Sequence, residues 1–302
     1  MFINLLKKNA KCVLLFSILY CFLLFIYLIN AEAVEPTEGF KAIQLDPAKI
    51  RLVISPNNAH SGKINIYNPS GEPRRVKVYL EDWKYLPVCD GTKDFKPAGT
   101  TDLSVANWIS FVPDEFTIPA FGKQVLNYTV RVPADAKGGH YAVLFFESYV
   151  GDQTQTKEGV SVNLAVRIAS LFYIEPKGTI ERQAKIENVK VAKKQNKNYL
   201  TAKFSNIGNV DINAKGTFFI IDKKGMVYAR GEFNEVFTFP QDSATFTSYW
   251  KESIPNGTYD LILTIDISKP LREARLEEAP SITKEFKIEI GENGEVAKIS
   301  EF

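Results

Sequence analysis

The chain has 302 residues, which is long enough for two hydrophobic cores of ordinary size. Of these residues 45% are hydrophobic, a larger fraction than is found in disordered proteins. Lysine and arginine number 37 against 35 aspartates and glutamates, so there is no basic excess of the kind that binds nucleic acid. Three cysteines are too few for a small fold held together by disulfides.

The first segment, residues 1–33, has the pattern of a signal peptide. Lysines precede an uncharged apolar run, Val13–Ile29, and the small residues Ala31 and Ala33 follow it. The run is just long enough to span a membrane, so an uncleaved anchor is the alternative. Both readings predict an exported protein, periplasmic or at the cell surface. Cleavage would leave Cys89 as the only cysteine, and we expect its thiol to be buried, with an intermolecular disulfide as the alternative.

Beyond this segment, apolar and polar residues alternate as they do in half-buried β-strands. Ile64 and Ile66 alternate with polar neighbours, and residues 76–81 and 126–132 repeat the pattern. Turn sequences rich in proline, glycine and asparagine separate these runs. The sequence therefore predicts an all-β fold of antiparallel sandwiches. A stretch rich in Pro, Gly, Asp and Thr near residues 84–103 is predicted to be an insertion.

A repeated motif predicts two tandem immunoglobulin-like domains. Gly139-His140-Tyr141 leads into an apolar strand, and Gly257-Thr258-Tyr259 does the same about one such domain later. Tyrosine here is typical of the tyrosine corner, whose hydroxyl bonds the backbone of the preceding loop; two unrelated turns are the alternative.

The repeat and the turn sequences give the predicted domain bounds. We predict domain 1 over residues 34–176, domain 2 over 177–290 and a flexible tail over 291–302. The piece Leu271–Glu278 is predicted to be a solvated excursion between the last two strands, with a partner-binding helix as the alternative.

No residue constellation for catalysis is recognisable. The two histidines, His60 and His140, have no serine or cysteine motif beside them, and nucleophile elbows, zinc-binding helices and phosphate-binding loops are missing. The sequence therefore predicts a protein that is not an enzyme and that uses no cofactor or metal.

The strand that would close domain 1 carries a regular apolar face. This ladder consists of Val160, Val162, Leu164, Val166 and Ile168. In one interpretation it closes the core, as any last strand would. In the other, part of it lies beyond the core and offers backbone hydrogen bonds and apolar side chains to the incomplete sheet of a partner, which is strand addition.

Both ends of domain 1 resemble those of the periplasmic pilus chaperones. Leu45-Asp46-Pro47-Ala48-Lys49 matches their opening strand, and the segment from Leu171 to Pro176 matches the end of their closing strand with one residue more. The resemblance implies two immunoglobulin-like domains that hold a protein subunit, with its terminal carboxylate bound by two cations in the interdomain cleft. Lys49 stands at the first cation's position and Ser170 at the second. Arg167 is nearby, but three residues along a strand place it on the other face.

Domain 1 is also similar to the extracellular proteins that accompany WxL surface proteins, over residues 82–83, 104–109, 113–118 and 132–141. That resemblance implies binding of peptidoglycan and of proteins.

We therefore predict an exported, chaperone-like or surface-assembly module that binds an extracytoplasmic protein through its edge strand or interdomain cleft. A structural protein of the cell wall is the alternative. A membrane would be contacted only through an uncleaved N-terminal segment. The predicted partner-binding residues are Lys49, Arg167 and the five ladder residues.

Overall fold

The computed structural model describes residues 41–155, 161–279 and 281–301, and the chain from Ala42 onward forms one compact unit. The predicted signal or anchor segment lies outside the described residues. Within the part of the chain that is described, no helix is both long and apolar enough to cross a membrane. Strands make up most of the described residues and form two tandem immunoglobulin-like sandwiches, which confirms the predicted fold class.

Among the described residues, the first sandwich is built from ten strands and a short 3-10 helix (Ala106–Trp108). The strands are β1 (Gln44–Asp46), β2 (Lys49–Ile54), β3 (Ala59–Tyr67), β4 (Arg74–Tyr85), β5 (Lys93–Pro97), β6 (Ile109–Val112), β7 (Glu115–Ile118), β8 (Lys123–Arg131), β9 (His140–Gln155) and β10 (Ser161–Pro176). One sheet has the order β1-β3-β8-β6 and the other β2-β10-β9-β4-β5, with β7 also paired to β4. Inward residues such as Ile64, Leu126, Phe146 and Phe172 are fully buried between them, because side chains alternate between the two faces of a strand.

The part of the chain that the structure describes contributes nine strands to the second sandwich. They are β11 (Ala184–Lys194), β12 (Lys197–Asn206), β13 (Ile212–Ile221), β14 (Val227–Glu232), β15 (Val236–Thr238), β16 (Ser243–Trp250), β17 (Gly257–Asp266), β18 (Ile282–Ile290) and β19 (Val296–Glu301). A three-stranded sheet, β11-β12-β16, faces a larger sheet of order β14-β13-β17-β18-β19, in which β15 also pairs with β13. Phe204, Phe218 and Phe246 fill the core between them.

Two segments of the second sandwich correct the sequence-based expectations. Residues in the predicted flexible tail form β19, which pairs antiparallel with β18, because Val296 and Ile299 pack against the core. The predicted solvated excursion, Leu271–Glu278, begins inside a short helix, α1 (Lys269–Glu273). Its charged residues are exposed as predicted, but Leu271 is buried. The apolar side chains in these short segments are enough to hold them against the sandwich.

The predicted insertion of domain 1 is a hairpin that reaches the second sandwich. Its arms are β4 and β5, which pair in antiparallel register. At the tip, the N–H of Phe237 donates a hydrogen bond of 2.8 Å to the carbonyl oxygen of Cys89. The Cys89 side chain is buried, as expected, but it belongs to the core of the second sandwich. Burial raises the pKa of its thiol, so the thiol stays protonated at neutral pH.

A cluster of buried aromatic side chains joins the two sandwiches. Trp83, Tyr141 and Tyr173 lie on the outer face of the larger sheet of the first sandwich, and Phe239 comes from the second. The ring centroid of Phe239 lies 4.9 Å from that of Trp83 and 4.3 Å from that of Tyr141, on which it stacks. The sandwiches therefore share a third, smaller core.

Only the second of the two predicted tyrosine corners closes within its own sandwich. There the hydroxyl of Tyr259 donates to the carbonyl oxygen of Pro255 at 2.9 Å. The hydroxyl of Tyr141 instead accepts the backbone N–H of Asp211, in the second sandwich, at 2.6 Å. The motif in the first sandwich thus serves the contact between the sandwiches.

We expect Tyr141→Phe to lower the free energy of unfolding more than Tyr259→Phe. The first change leaves the buried N–H of Asp211 without its acceptor, at a cost of about 1–3 kcal/mol, whereas an ordinary hydrogen bond contributes about 1 kcal/mol. Urea denaturation of the two variants measures the difference. If both variants lost the same free energy of unfolding, the hydrogen bond between Tyr141 and Asp211 would contribute no more than the bond within one sandwich.

Candidate functional site

The strand β10 has an open backbone edge. On one side it pairs with β9 along its length, but on the other it pairs only over Leu171–Pro176, where β2 lies parallel to it. Between Ser161 and Ile168 no described strand pairs with this second side. β9 in turn pairs with β4 only as far as Ser148, so the described residues of the β9–β10 hairpin beyond Ser148 form a two-stranded ribbon.

Neighbouring hydrogen bonds show which backbone groups this edge presents. The N–H of Leu171 donates to the carbonyl oxygen of Ala48 at 3.0 Å, on the side where β2 lies. Residues two apart in a strand point their N–H and C=O groups to the same side. The N–H and C=O groups of Ala165 and Arg167 therefore face the open edge, where they can pair with an added strand.

The predicted apolar ladder runs out of the core along β10. On its face, Phe172 and Ile174 are fully buried, Ile168 is half-buried against the core of the first sandwich, and Val166 is half-buried. The ladder thus begins as core and emerges towards the ribbon.

The remaining ladder residues lie farther out. Val160 lies outside the described residues. Of Val162 and Leu164 the structure describes the backbone, which pairs with Thr154 and Val150 of β9 and contains a register shift between the two ladder residues.

Arg167 lies on the face of β10 opposite the ladder. Its guanidinium lies 4.3 Å from the ring centroid of Phe145 and 3.2 Å from the carboxylate of Glu81. A hydrogen bond to Tyr79 and the charge of Glu81 raise its pKa. The Arg167 side chain therefore makes its contacts on the outer face of the sheet. Lys49, by contrast, lines a cleft.

That cleft separates β2 of the first sandwich from helix α1 of the second. It has a volume of about 450 Å³ and is lined by Pro47, Lys49, Ile50, Arg51, Leu52, Tyr128, Pro270, Glu273 and Ala274. The Nζ of Lys49 lies 3.2 Å from Oε2 of Glu273, across the cleft, and 5.3 Å from the ring centroid of Tyr173. The ion pair is well exposed to solvent, so water weakens it.

Arg51, two residues along β2, sits in a buried network of charges. Its side chain is 2% exposed and donates to both carboxylate oxygens of Asp211, at 2.9 and 2.6 Å, and to Glu175. Arg182 donates to the same Glu175 at 2.9 Å. Since Asp211 belongs to the second sandwich, the network ties the two sandwiches together.

Two properties of this network bear on binding. Burial alone would raise the pKa of Asp211, but the Arg51 guanidinium outweighs it and holds that pKa below its usual range. The Nε–H of Arg51 is buried and has no hydrogen-bond partner among the described residues, and Arg51 lines the cleft. A buried donor without an acceptor costs free energy, which an incoming oxygen atom would recover.

The sequence pointed to Lys49 but not to Arg51. A signal was present, because Arg51 is two residues from Lys49 on the same strand face. Glu175, the acidic residue in the otherwise apolar end of the closing strand, is its partner.

Ser170, which stands where the resemblance to the chaperones puts their second cation, carries a hydroxyl held by a hydrogen bond. Ser170 is buried, and its Oγ donates to the carbonyl oxygen of Pro47 at 2.8 Å.

A different ammonium lies near Lys49: partial burial and the charge of Lys49 both lower the pKa of Lys93, on β5. Its Nζ donates to the carbonyl oxygen of Gly91 at 3.0 Å and lies 5.3 Å from the ring centroid of Trp83. Lys93 lies in the inserted hairpin, outside the strand motif that points to Lys49.

No family model and no curated protein matches the chain. Among solved structures it is similar to the class 5 fimbriae chaperone CfaA, at 15% identity over 81% of this chain and 98% of that one, with a TM-score of 0.47. A chaperone–tip adhesin complex of CFA/I fimbriae biogenesis matches at 12% identity, with the same two coverages and the same TM-score. The CsuC–CsuE chaperone–tip adhesion subunit complex of Acinetobacter baumannii Csu pili matches at 12%, again with those coverages and with a TM-score of 0.40. These neighbours come from the pilus-chaperone group that domain 1 resembles in sequence.

Proposed function

We propose that this protein is an exported, non-enzymatic chaperone-like module that captures an extracytoplasmic protein subunit by strand addition. The observation that carries the proposal is the open edge of β10. Its backbone groups at Ala165 and Arg167 are unpaired by any described strand, beside the half-buried side chains of Val166 and Ile168. A strand of the subunit would pair with this edge and cover the emerging ladder.

The cleft supports the proposal with a site for the subunit's terminal carboxylate. Lys49 supplies positive charge, and the free Nε–H of Arg51 supplies a buried donor. The carboxylate would lie beside Leu171, where β2 ends the open edge, so one extended chain segment could use both sites.

The proposed location is the periplasm or the cell surface. The N-terminal pattern of lysines, apolar run and small residues favours export. The similar solved structures include complexes of chaperones with pilus tip subunits, and a pilus or surface subunit is the partner that we propose.

Ala165→Pro tests the proposed edge. Proline removes the N–H that faces the open side and leaves the hydrogen bonds between β10 and β9 intact, so the fold should survive. Capture of extracytoplasmic proteins on the immobilised protein should fall at least about tenfold, since each such hydrogen bond contributes on the order of 1 kcal/mol and the ring also blocks the edge. Ala165→Val, which keeps the N–H, is the matched control.

The same assay also tests the alternative function, that of a structural protein of the cell wall. Purified peptidoglycan is offered to the three proteins in parallel, and thermal unfolding checks that each is folded. If Ala165→Pro captured as much protein as Ala165→Val and the wild type, binding at the β10 edge would be refuted. Retention of peptidoglycan, without any protein captured, would favour the structural wall protein instead.

A further inference from the structure

We propose that Glu273 is a built-in substitute for the ligand's carboxylate: it neutralises Lys49 while the cleft is empty and must be displaced when an anionic chain end binds. The inference rests on the proposed function and adds a residue of the second sandwich that sets the charge selectivity of the site. A carboxylate already opposes the cation to which the ligand's carboxylate would bind.

Helix α1 holds Glu273 on a fixed platform. Leu271 is buried in the second sandwich, and Pro270 is buried beside it. Lys269 pairs with Glu235 at 2.8 Å. Arg272 pairs with Asp266 and with Glu278, the latter at 3.0 Å. The burial of Pro270 and Leu271 anchors the helix, so the fold itself places Glu273 across the cleft from Lys49.

The charges of the cleft favour displacement over permanent closure. Arg51 is already neutralised by Asp211 and Glu175, so Lys49 and Glu273 decide the net charge of the opening. Their contact is a single 3.2 Å pair with both side chains substantially exposed. Such pairs are weak, and a ligand that also pairs with the β10 edge can replace one of them.

Glu273→Gln should therefore strengthen binding of a chain end that carries a carboxylate. The amide keeps the size of the side chain but leaves Lys49 without its internal partner, and affinity should rise about two- to fivefold, the range expected for an exposed ion pair. A neutral chain end has nothing to gain from the free ammonium. The change should therefore raise the ratio of acid to amide affinity.

The experiment uses one peptide in two forms, of alternating valine and serine with two lysines at its start, as the C-terminal acid and as the amide. Fluorescence anisotropy gives its affinity for the wild type, Glu273→Gln and the matched control Glu277→Gln. The control removes an exposed charge from the same segment, outside the cleft lining. We expect tighter binding of the acid by Glu273→Gln alone, with the amide unchanged.

A second comparison separates the two proposals. In a Lys49→Gln background, Glu273→Gln should have no effect on the acid, because the displaced contact no longer exists. If the acid binds the wild type but equally well to Glu273→Gln and Glu277→Gln, the role of Glu273 is refuted and the carboxylate site stands. If the acid binds no better than the amide to any of the proteins, the carboxylate site falls together with this inference, whereas edge capture is judged by Ala165→Pro.

Discussion

Replacing Arg51 with methionine is expected to lower the free energy of unfolding by about 3–5 kcal/mol, because it leaves buried carboxylates without their cation. Asp211 loses both hydrogen bonds from the guanidinium, and Glu175 keeps only Arg182. Lys49→Met is the matched control, since it removes a cation from the same strand at an exposed position and should cost less than about 1 kcal/mol. Urea denaturation of both variants gives the comparison.

The loss in Arg51→Met should also depend on pH. In the wild type the pKa of Asp211 lies below its value in the unfolded chain, so its contribution is present above the unfolded pKa and disappears as the pH falls through the folded one. Without Arg51, burial leaves that pKa raised, and the protonated carboxyl becomes the favoured form in the folded state. The variant's deficit should therefore shrink between pH 7 and pH 4. A deficit that is the same at both pH values would contradict this account of the network.

The fold class could be predicted because it depends on local alternation. Ile64 and Ile66 point inward whatever lies opposite them, and the same pattern repeated in the second half of the chain indicated a second sandwich. The burial of Cys89 was expected on composition alone. That its side chain packs in the core of the second sandwich depends on where a hairpin tip lands, and no local pattern contains that information.

The candidate site shows the same limit. Lys49 was identified through a strand motif, and the ladder through its period of two. The partners that give Lys49 its setting come from distant parts of the chain: Glu273 from a helix of the second sandwich and Lys93 from the inserted hairpin. Arg51 likewise meets Asp211 only because the sandwiches pack together. Contacts between residues this far apart are set by tertiary packing, which a single sequence does not display.

The boundary between the sandwiches explains why these distant residues keep their geometry. The aromatic cluster and the charge network cross it side by side, since Arg51 lies 4.4 Å from the ring centroid of Tyr173 and Tyr141 touches both Asp211 and Phe239. Loosening either should move helix α1 relative to β2 and so change the width of the cleft. Stability of the boundary and selectivity of the cleft are therefore linked.

Trp83→Ala is expected to lower the free energy of unfolding by about 3–5 kcal/mol and to split unfolding into two transitions. Trp83 is 1% exposed and its ring contacts those of Tyr85, Tyr141, Tyr173 and Phe239, so its removal opens a cavity in the shared core. The two larger cores stay intact, and each sandwich can then unfold by itself.

Differential scanning calorimetry measures both effects of Trp83→Ala. Trp108→Ala is the control, because that half-buried ring packs on His140 in the first sandwich and lies outside the shared core. We expect the wild type and the control each to unfold in one transition, the control with a smaller loss of stability than Trp83→Ala. A single transition in Trp83→Ala, with a loss no larger than that of Trp108→Ala, would show that the aromatic cluster does not couple the sandwiches.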